Sequence, residues 1–325
     1  MYERYTTTRL KTGEEMEIGV VKAPDKEHAD EITAFLGHKP GVFKWHIERS
    51  LSEPLDELET RFYVGKVEGK IITNVMIVEY HRTGILGHVF TAPDHRRKGA
   101  YSRLMGAQIE DFRRRGGGLL LLGTGYDSPP YWIYHSYGFR SVIEGSGFMR
   151  YASEENFEVE YFAPGGVKTV DVQWKDWPRL NVLSSVREGA FLRNVGLRLY
   201  GVQNFEGGFL DFKQSLEHDT GVQAKLLESD RGAIVGYATL MPDRRWNGAV
   251  ALLDLFVHPN FYSAIGLLLE AMEFPSKKVQ CHADEHSVEK RAALEAAGFE
   301  QEAVLRDQIQ TTNGHLDVVV YSKVE

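Results

Sequence analysis

The sequence is short of cysteine, of long apolar runs and of net positive charge. A single cysteine, Cys281, stands among 325 residues. That excludes an intramolecular disulfide framework and fits a reducing cytoplasm, the expected location. Purely apolar runs stop at four or five residues, far short of the roughly 20 a membrane-crossing helix needs. The opening MYERYTTTRLKTGEEMEIG has no apolar core of the kind a signal peptide carries. With 46 acidic against 38 basic residues the formal charge is −8. The basic surplus of a general nucleic-acid binder is therefore missing, and neither nucleic acid nor membrane is an expected partner.

What is present is an ordinary globular composition, 42% apolar and 26% charged, in a chain long enough for two domains. The first 15 residues are polar and are expected to lie loosely on a surface. Residues 17–21 read as a strand, and 24–37 and 42–52 as helices. Runs of β-branched and aromatic residues at 60–67, 71–80 and 85–91, separated by Gly turns, predict a meander. In 99–115, Tyr101, Leu104, Met105, Ile109 and Phe112 recur at spacings of three and four, so a helix is expected, stopped at Gly116. Leu119 to Leu122 reads as a strand buried on both faces. A helix near 129–137 and a strand near 140–151 follow.

Residues 152–166, ending in Pro164-Gly165-Gly166, read as a linker between a domain at 1–151 and one at 167–325. Beyond it the element order repeats. Strands are expected at 167–172, 223–228, 233–241, 249–257, 278–282, 302–309 and 316–323. Helical patterns lie at 177–187, 208–217, 262–272 and 287–297. The fold class is α/β (α+β): two similar domains, each a mixed, mostly antiparallel sheet flanked by helices.

The chemistry concentrates at TAPDHRRKGAYSRLM, residues 91–105. Arg96, Arg97 and Lys98 precede Gly99 at the mouth of a helix. A helix N-terminus offers unpaired N–H groups and partial positive charge, and glycine lets an anion approach the backbone. This is a phosphate cradle, although neither GxxxxGK[ST] nor GxGxxG is present. The alternative is a solvated basic turn.

Here the sequence resembles the GNAT family of acetyl-CoA-dependent N-acyltransferases. That family carries R/Q-x-x-G-x-G/A between its fourth strand and third helix, and this chain has Arg96-Arg97-Lys98-Gly99-Ala100-Tyr101. Downstream, DSPPYWIYHSYGF places Asp127, Tyr134 and Gly138-Phe139 at the family's spacing. The resemblance covers about 17–150 and makes the second half a degenerate copy in a tandem chain. Two positions depart from it: Tyr101 replaces Gly or Ala, and Asp127 replaces Asn.

The resemblance implies direct attack of a primary amine on acetyl-CoA, with no metal. Backbone groups of Val89, Phe90 and Thr91 would hold the pantetheine arm. Arg96, Arg97, Lys98, Gly99, Ala100, Tyr101 and Ser102 would hold the pyrophosphate, with Asp127 beside the arm. Tyr134 would protonate the leaving sulfur, a role its hydroxyl suits at neutral pH. His88 is the candidate base and His135 a poorer one. The acceptor is a small-molecule or peptide amine, and Tyr126, Tyr131, Trp132 and Tyr137 hint at an aromatic mouth. The protein is expected to act as a monomer or homodimer.

Two other functions stand beside this one. A non-catalytic CoA-binding sensor or scaffold is favoured by Tyr101 and Asp127. A tRNA-dependent aminoacyl transferase of the tandem type is disfavoured by the acidic balance. In the second half Ile265 stands where Gly99 does, Leu294 where Tyr134 does, and the three cations are gone. His282 to His286 (HADEH) matches a zinc-peptidase pattern beside Cys281. However, it is expected to straddle a strand end rather than a helix, with no third ligand.

Overall fold

The polar N-terminal segment, expected to lie loosely, is a strand. Tyr2–Arg9 (β1) pairs antiparallel with Glu15–Lys22 (β2), from Tyr2↔Val21 to Arg9↔Glu15. Only Tyr2, Tyr5 and Thr8 are even partly buried, so no apolar alternation announces it. Its attachment is polar. The Tyr5 hydroxyl donates to Asp111, which also accepts from Tyr63, Arg114 and Arg115. Asp111 is only 1% exposed. Burial alone would raise its carboxyl, but the four donors outweigh burial and hold it below the usual range.

The computed structural model describes residues 1–312 and 314–324. The chain divides into two compact units. The first holds 1–157, 173–182 and 204–211; the second holds 158–172, 183–203 and 212–325. The chain thus re-enters the first unit twice beyond the linker expected at 152–166.

In the first unit β2 leads to two helices, Ala29–Phe35 (α1) and Gly41–Ser52 (α2). The meander follows as Glu59–Val67 (β3), Lys70–Tyr80 (β4) and Thr83–Thr91 (β5). Then come Ala100–Arg114 (α3), Leu119–Gly123 (β6), Pro129–Ser136 (α4), Arg140–Ser141 (β7) and Phe148–Ala152 (β8). The sheet order is β1-β2-β3-β4-β5-β6-β8-β7, antiparallel except between β5 and β6. Leu104, Met105, Ile109 and Phe112 of α3 share one core with Met16, Ile18, Tyr63, Val75 and Ile77 of the sheet. Burying one such side chain contributes about 1.5–3 kcal/mol. The four leucines of β6 are buried on both faces.

Two features of β5 open the sheet. It pairs with β6 only from Thr83↔Leu119 to Ile85↔Leu121, after which the strands part. On its other side the register with β4 slips between Asn74↔Phe90 and Met76↔Gly87, a bulge at which His88 takes φ +49°. The later segments are tied in by aromatic packing and hydrogen bonds. Trp174 packs 5.1 Å from Trp45 and its backbone N–H donates to Asp56 at 2.6 Å. Trp177 packs 4.7 Å from His46 and stacks on Phe209 at 5.9 Å.

The remaining elements, in chain order, are Phe157–Tyr161 (α5), Val167–Asp171 (β9), Asp176–Ser184 (α6), Leu192–Asn194 (β10), Leu199–Tyr200 (β11) and Glu206–His218 (α7). Gln223–Ser229 (β12), Ile234–Pro242 (β13), Ala251–Val257 (β14), Ile265–Glu270 (α8), Val279–Asp284 (β15), Val288–Ala296 (α9), Glu300–Thr311 (β16) and Gly314–Lys323 (β17) complete the chain. The second sheet runs β16-β17-β15-β14-β13-β12-β9. Its one parallel pair, β14 with β15, extends from Ala251↔Val279 to Leu253↔Cys281. It therefore repeats the three-residue pairing of β5 with β6. No local pattern signalled the β10–β11 hairpin.

Candidate active site

The basic turn and the parted strands lie at successive points of one path, from β5 into α3. After β5 a short 3-10 turn, Pro93–His95, delivers Arg96 in extended conformation. Arg97 then takes φ +62° and Gly99 φ +88°. Gly99 is the residue preceding α3. A Cβ there would meet nothing closer than the Lys11 side chain at 3.7 Å. The requirement for glycine is therefore conformational: a left-handed backbone costs other residues about 1–2 kcal/mol.

Arg96 and Arg97 are exposed, while Lys98 is half-buried and pairs with Glu14 at 3.4 Å. The Arg96 guanidinium lies 5.9 Å from the Phe90 ring, and its Nε donates to the Thr91 carbonyl at 3.1 Å. Ala100 is buried. Tyr101 packs against the core, edge-on to Tyr134 at 6.3 Å. Its bulk is therefore turned inward. Ser102 is exposed and its carbonyl accepts from the Tyr137 hydroxyl at 2.6 Å.

Where β5 leaves β6 a cleft of about 340 Å³ opens, lined by residues that include Gly87, His88, Val89, Gly123, Tyr134 and Glu206. Tyr134, on α4, is 7% exposed, and burial raises its hydroxyl to about 12. It remains a proton donor across the physiological range. His88 is 6% exposed and its Nε2 has no partner among the described residues. Burial first, then the nearby His46, Lys39 and His38, hold its imidazole well below the ordinary value, so it is neutral. Phe90 packs against Phe35 at 5.1 Å and His38 at 4.1 Å.

Five expected neighbours lie outside the cleft lining. Asp127 is exposed at φ +56° and accepts from the Trp132 indole at 2.8 Å. Tyr131 is buried and bonded to Ser141, while Tyr126 and Trp132 are each 54% exposed. None of Tyr126, Tyr131, Trp132 and Tyr137 lines the cleft.

Sequence reasoning missed Glu206. It belongs to the first unit and is held by Asn204, whose Nδ2 donates to its carboxylate at 3.4 Å and whose Oδ1 accepts its backbone N–H at 3.2 Å. Trp177 Nε1 donates to its carbonyl at 3.0 Å. Glu206 keeps some surface toward the cleft it lines, yet protein packs round it closely enough that burial raises its carboxyl to about 7. The Asn204 bond and the Lys39 charge oppose that rise without cancelling it. A Cβ at Gly87 would lie 2.8 Å from Glu206 Oε1, and one at Gly123 would lie 2.3 Å from Asn204 Nδ2. A glycine inside a strand marks such a close approach, and these two were the available signal.

In the second unit the corresponding opening is filled. Strand β10 of the β10–β11 hairpin packs on β14 and β15. Asp254 of β14 accepts from the backbone N–H groups of Val195 and Gly196, each at 3.0 Å. Asp284 of β15 accepts from that of Leu192 at 2.8 Å. Arg193 lies 4.3 Å from the Phe256 ring and donates to the carbonyls of Ser184 and Val186. The β13–β14 register runs without a bulge. Ile265 is right-handed at φ −56° where Gly99 is left-handed, and Leu294 is fully buried.

His282 lies within strand β15, buried, while His286 is exposed between β15 and α9. Among the described residues no group of three or more His, Cys, Asp or Glu side chains is placed to hold a metal ion. No helix among them is long and apolar enough to cross a membrane.

Residues 30–139 match the model of the acetyltransferase (GNAT) family. Among solved structures, a GNAT-family acetyltransferase from Streptococcus pneumoniae is 15% identical; the alignment covers 49% of this chain and 100% of that one, with a TM-score of 0.41. An N-acetyltransferase from Staphylococcus aureus Mu50 is 13% identical over 49% and 99% of the two chains, at 0.40. A spermidine N-acetyltransferase from Vibrio cholerae is 14% identical over 49% and 93%, at 0.37. No curated protein matches the chain.

Proposed function

Starting from residues 30–139 as a GNAT-family acetyltransferase domain, we propose that the protein transfers an acyl group from acetyl-CoA to a primary amine in the cleft of its first unit. The observation that carries this reading is the parting of β5 from β6 directly ahead of the Arg96–Ala100 turn. A strand-like pantetheine arm would lie along Val89, Phe90 and Thr91. The exposed Arg96 and Arg97, with the turn at Gly99, would take the pyrophosphate by charge-assisted bonds. Lys98 is partly engaged by Glu14 and contributes less. Tyr134 lines the same cleft and carries the proton for the departing sulfur. Asp127, bonded to Trp132, is left out of the arm's contacts.

The test is a calorimetric titration with acetyl-CoA. One site per chain at micromolar or tighter affinity is expected. Two sites would contradict the assignment to the first unit alone, and no binding would sink the reading.

A further inference from the structure

We propose that Glu206 is the group that takes the proton from the acceptor amine, and that Asn204 to Glu206 form the acceptor side of the cleft. The proposal rests on the acyl-transfer reading above and assigns the base to a residue outside the family-matched segment.

Placement is the first argument. Glu206 lines the cleft together with His88, Val89 and Tyr134, so it stands beside both the expected arm and the expected acid. The second argument is construction. Both parted strands carry a glycine where a side chain would collide with this segment: Gly87 against the Glu206 carboxylate and Gly123 against Asn204. Asn204 and Trp177 then fix the backbone that carries it.

The third argument is chemical. A primary amine is protonated at neutral pH and cannot attack until it loses a proton. A carboxylate attracts the ammonium and accepts that proton, and it works best when its pKa lies near the operating pH. Burial brings Glu206 to about 7. His88 is held far lower and is the weaker base.

The step balances as follows. The ammonium gives one proton to Glu206, and the nitrogen forms a bond to the thioester carbonyl carbon. The C–S bond breaks with its electron pair on sulfur, and Tyr134 protonates the sulfur. The proton then lost by the nitrogen restores Tyr134, and Glu206 releases its own proton to solvent, the net proton of the reaction.

The test compares wild type, Glu206→Gln, Glu206→Asp and Gly87→Ala with acetyl-CoA and, in turn, spermidine, glucosamine and lysine amide, following release of the CoA thiol. The other titratable groups lining the cleft are Lys39, His88 and Tyr134. Burial holds His88 well below its ordinary value and pushes Tyr134 up to about 12; burial also pushes Lys39 down, so Glu206→Gln is needed to tell a Glu206 limb near pH 7 from a Lys39 one. For Glu206→Gln, acetyl-CoA affinity within twofold of wild type is expected, with kcat/KM down about 100-fold or more and the limb gone. Glu206→Asp is expected to recover part of the rate and to keep a limb. Gly87→Ala, which displaces only the flexible end of Glu206, is expected to lose about tenfold without loss of fold. Turnover by Glu206→Gln within threefold of wild type, with the limb retained, overturns the proposal. If wild type binds acetyl-CoA but releases no thiol with any of the amines, the acyl-transfer reading itself fails, and this proposal falls with it.

Discussion

The two sheets share one device and use it differently. In each, a single parallel pair holds for three residues and then opens, β5 from β6 and β14 from β15. The first opening is lined by titratable side chains: His88 on a bulge, Tyr134 on α4, and Glu206 admitted by two glycines. The second is closed by its own chain. Asp254 and Asp284, which could have faced a ligand, accept backbone N–H groups of the 192–200 hairpin instead. An open pair of strands is thus a binding opportunity only while nothing in the chain satisfies it. The second half, whose opening is filled, carries neither the three cations nor a left-handed glycine at the position matching Gly99.

The largest effect should come from Tyr134, the proposed acid. Tyr134→Phe is expected to lower turnover about 100-fold or more with acetyl-CoA affinity retained; unchanged turnover would remove the hydroxyl from the mechanism. Next comes the plug. Asp254→Ala removes the acceptor for two backbone N–H groups and should cost the fold about 2–3 kcal/mol, read by urea unfolding, with acetyl-CoA binding unaltered. If acetyl-CoA affinity fell instead, the two clefts would not be independent in function. Gly99→Val should weaken acetyl-CoA binding about tenfold or more, and Gly99→Asn by less, because Asn tolerates the left-handed backbone. Equal affinity in both variants would show that the turn is not the phosphate site.

The smallest effect is a matter of pH. The folded protein holds the Glu206 proton up to about 7 against an ordinary value of 4.5, so wild type loses stability as pH rises through that window. Glu206→Gln lacks this loss. Its Tm should exceed that of wild type at pH 8 and match it at pH 4. A variant less stable at pH 8 would make Glu206 a structural residue.

Much of this was legible locally. The α3 stripe, the four leucines of β6 and the residues before Gly99 all report on neighbours a few positions away, and the helix begins and ends within a residue of where they place it. Three elements escaped for one physical reason. β1 is fastened through Tyr5 to Asp111, the hairpin through Leu192 to Asp284, and Glu206 reaches Gly87. Each attachment is made by polar or glycine contacts distant in sequence, which leave no periodicity.

That distance has a consequence in time. Synthesis adds about 5–20 residues per second, so strands β1 to β8 can meet several seconds before Asn204 and Glu206 exist. The emerging chain would by then possess its basic turn and its tyrosine, with Gly87 and Gly123 facing an empty place. On the ribosome the segment from Asn204 to Glu206 is the last part of this cleft's lining to arrive, so a nascent first unit holds its basic turn and Tyr134 before it holds the Glu206 carboxylate that lines the same cleft.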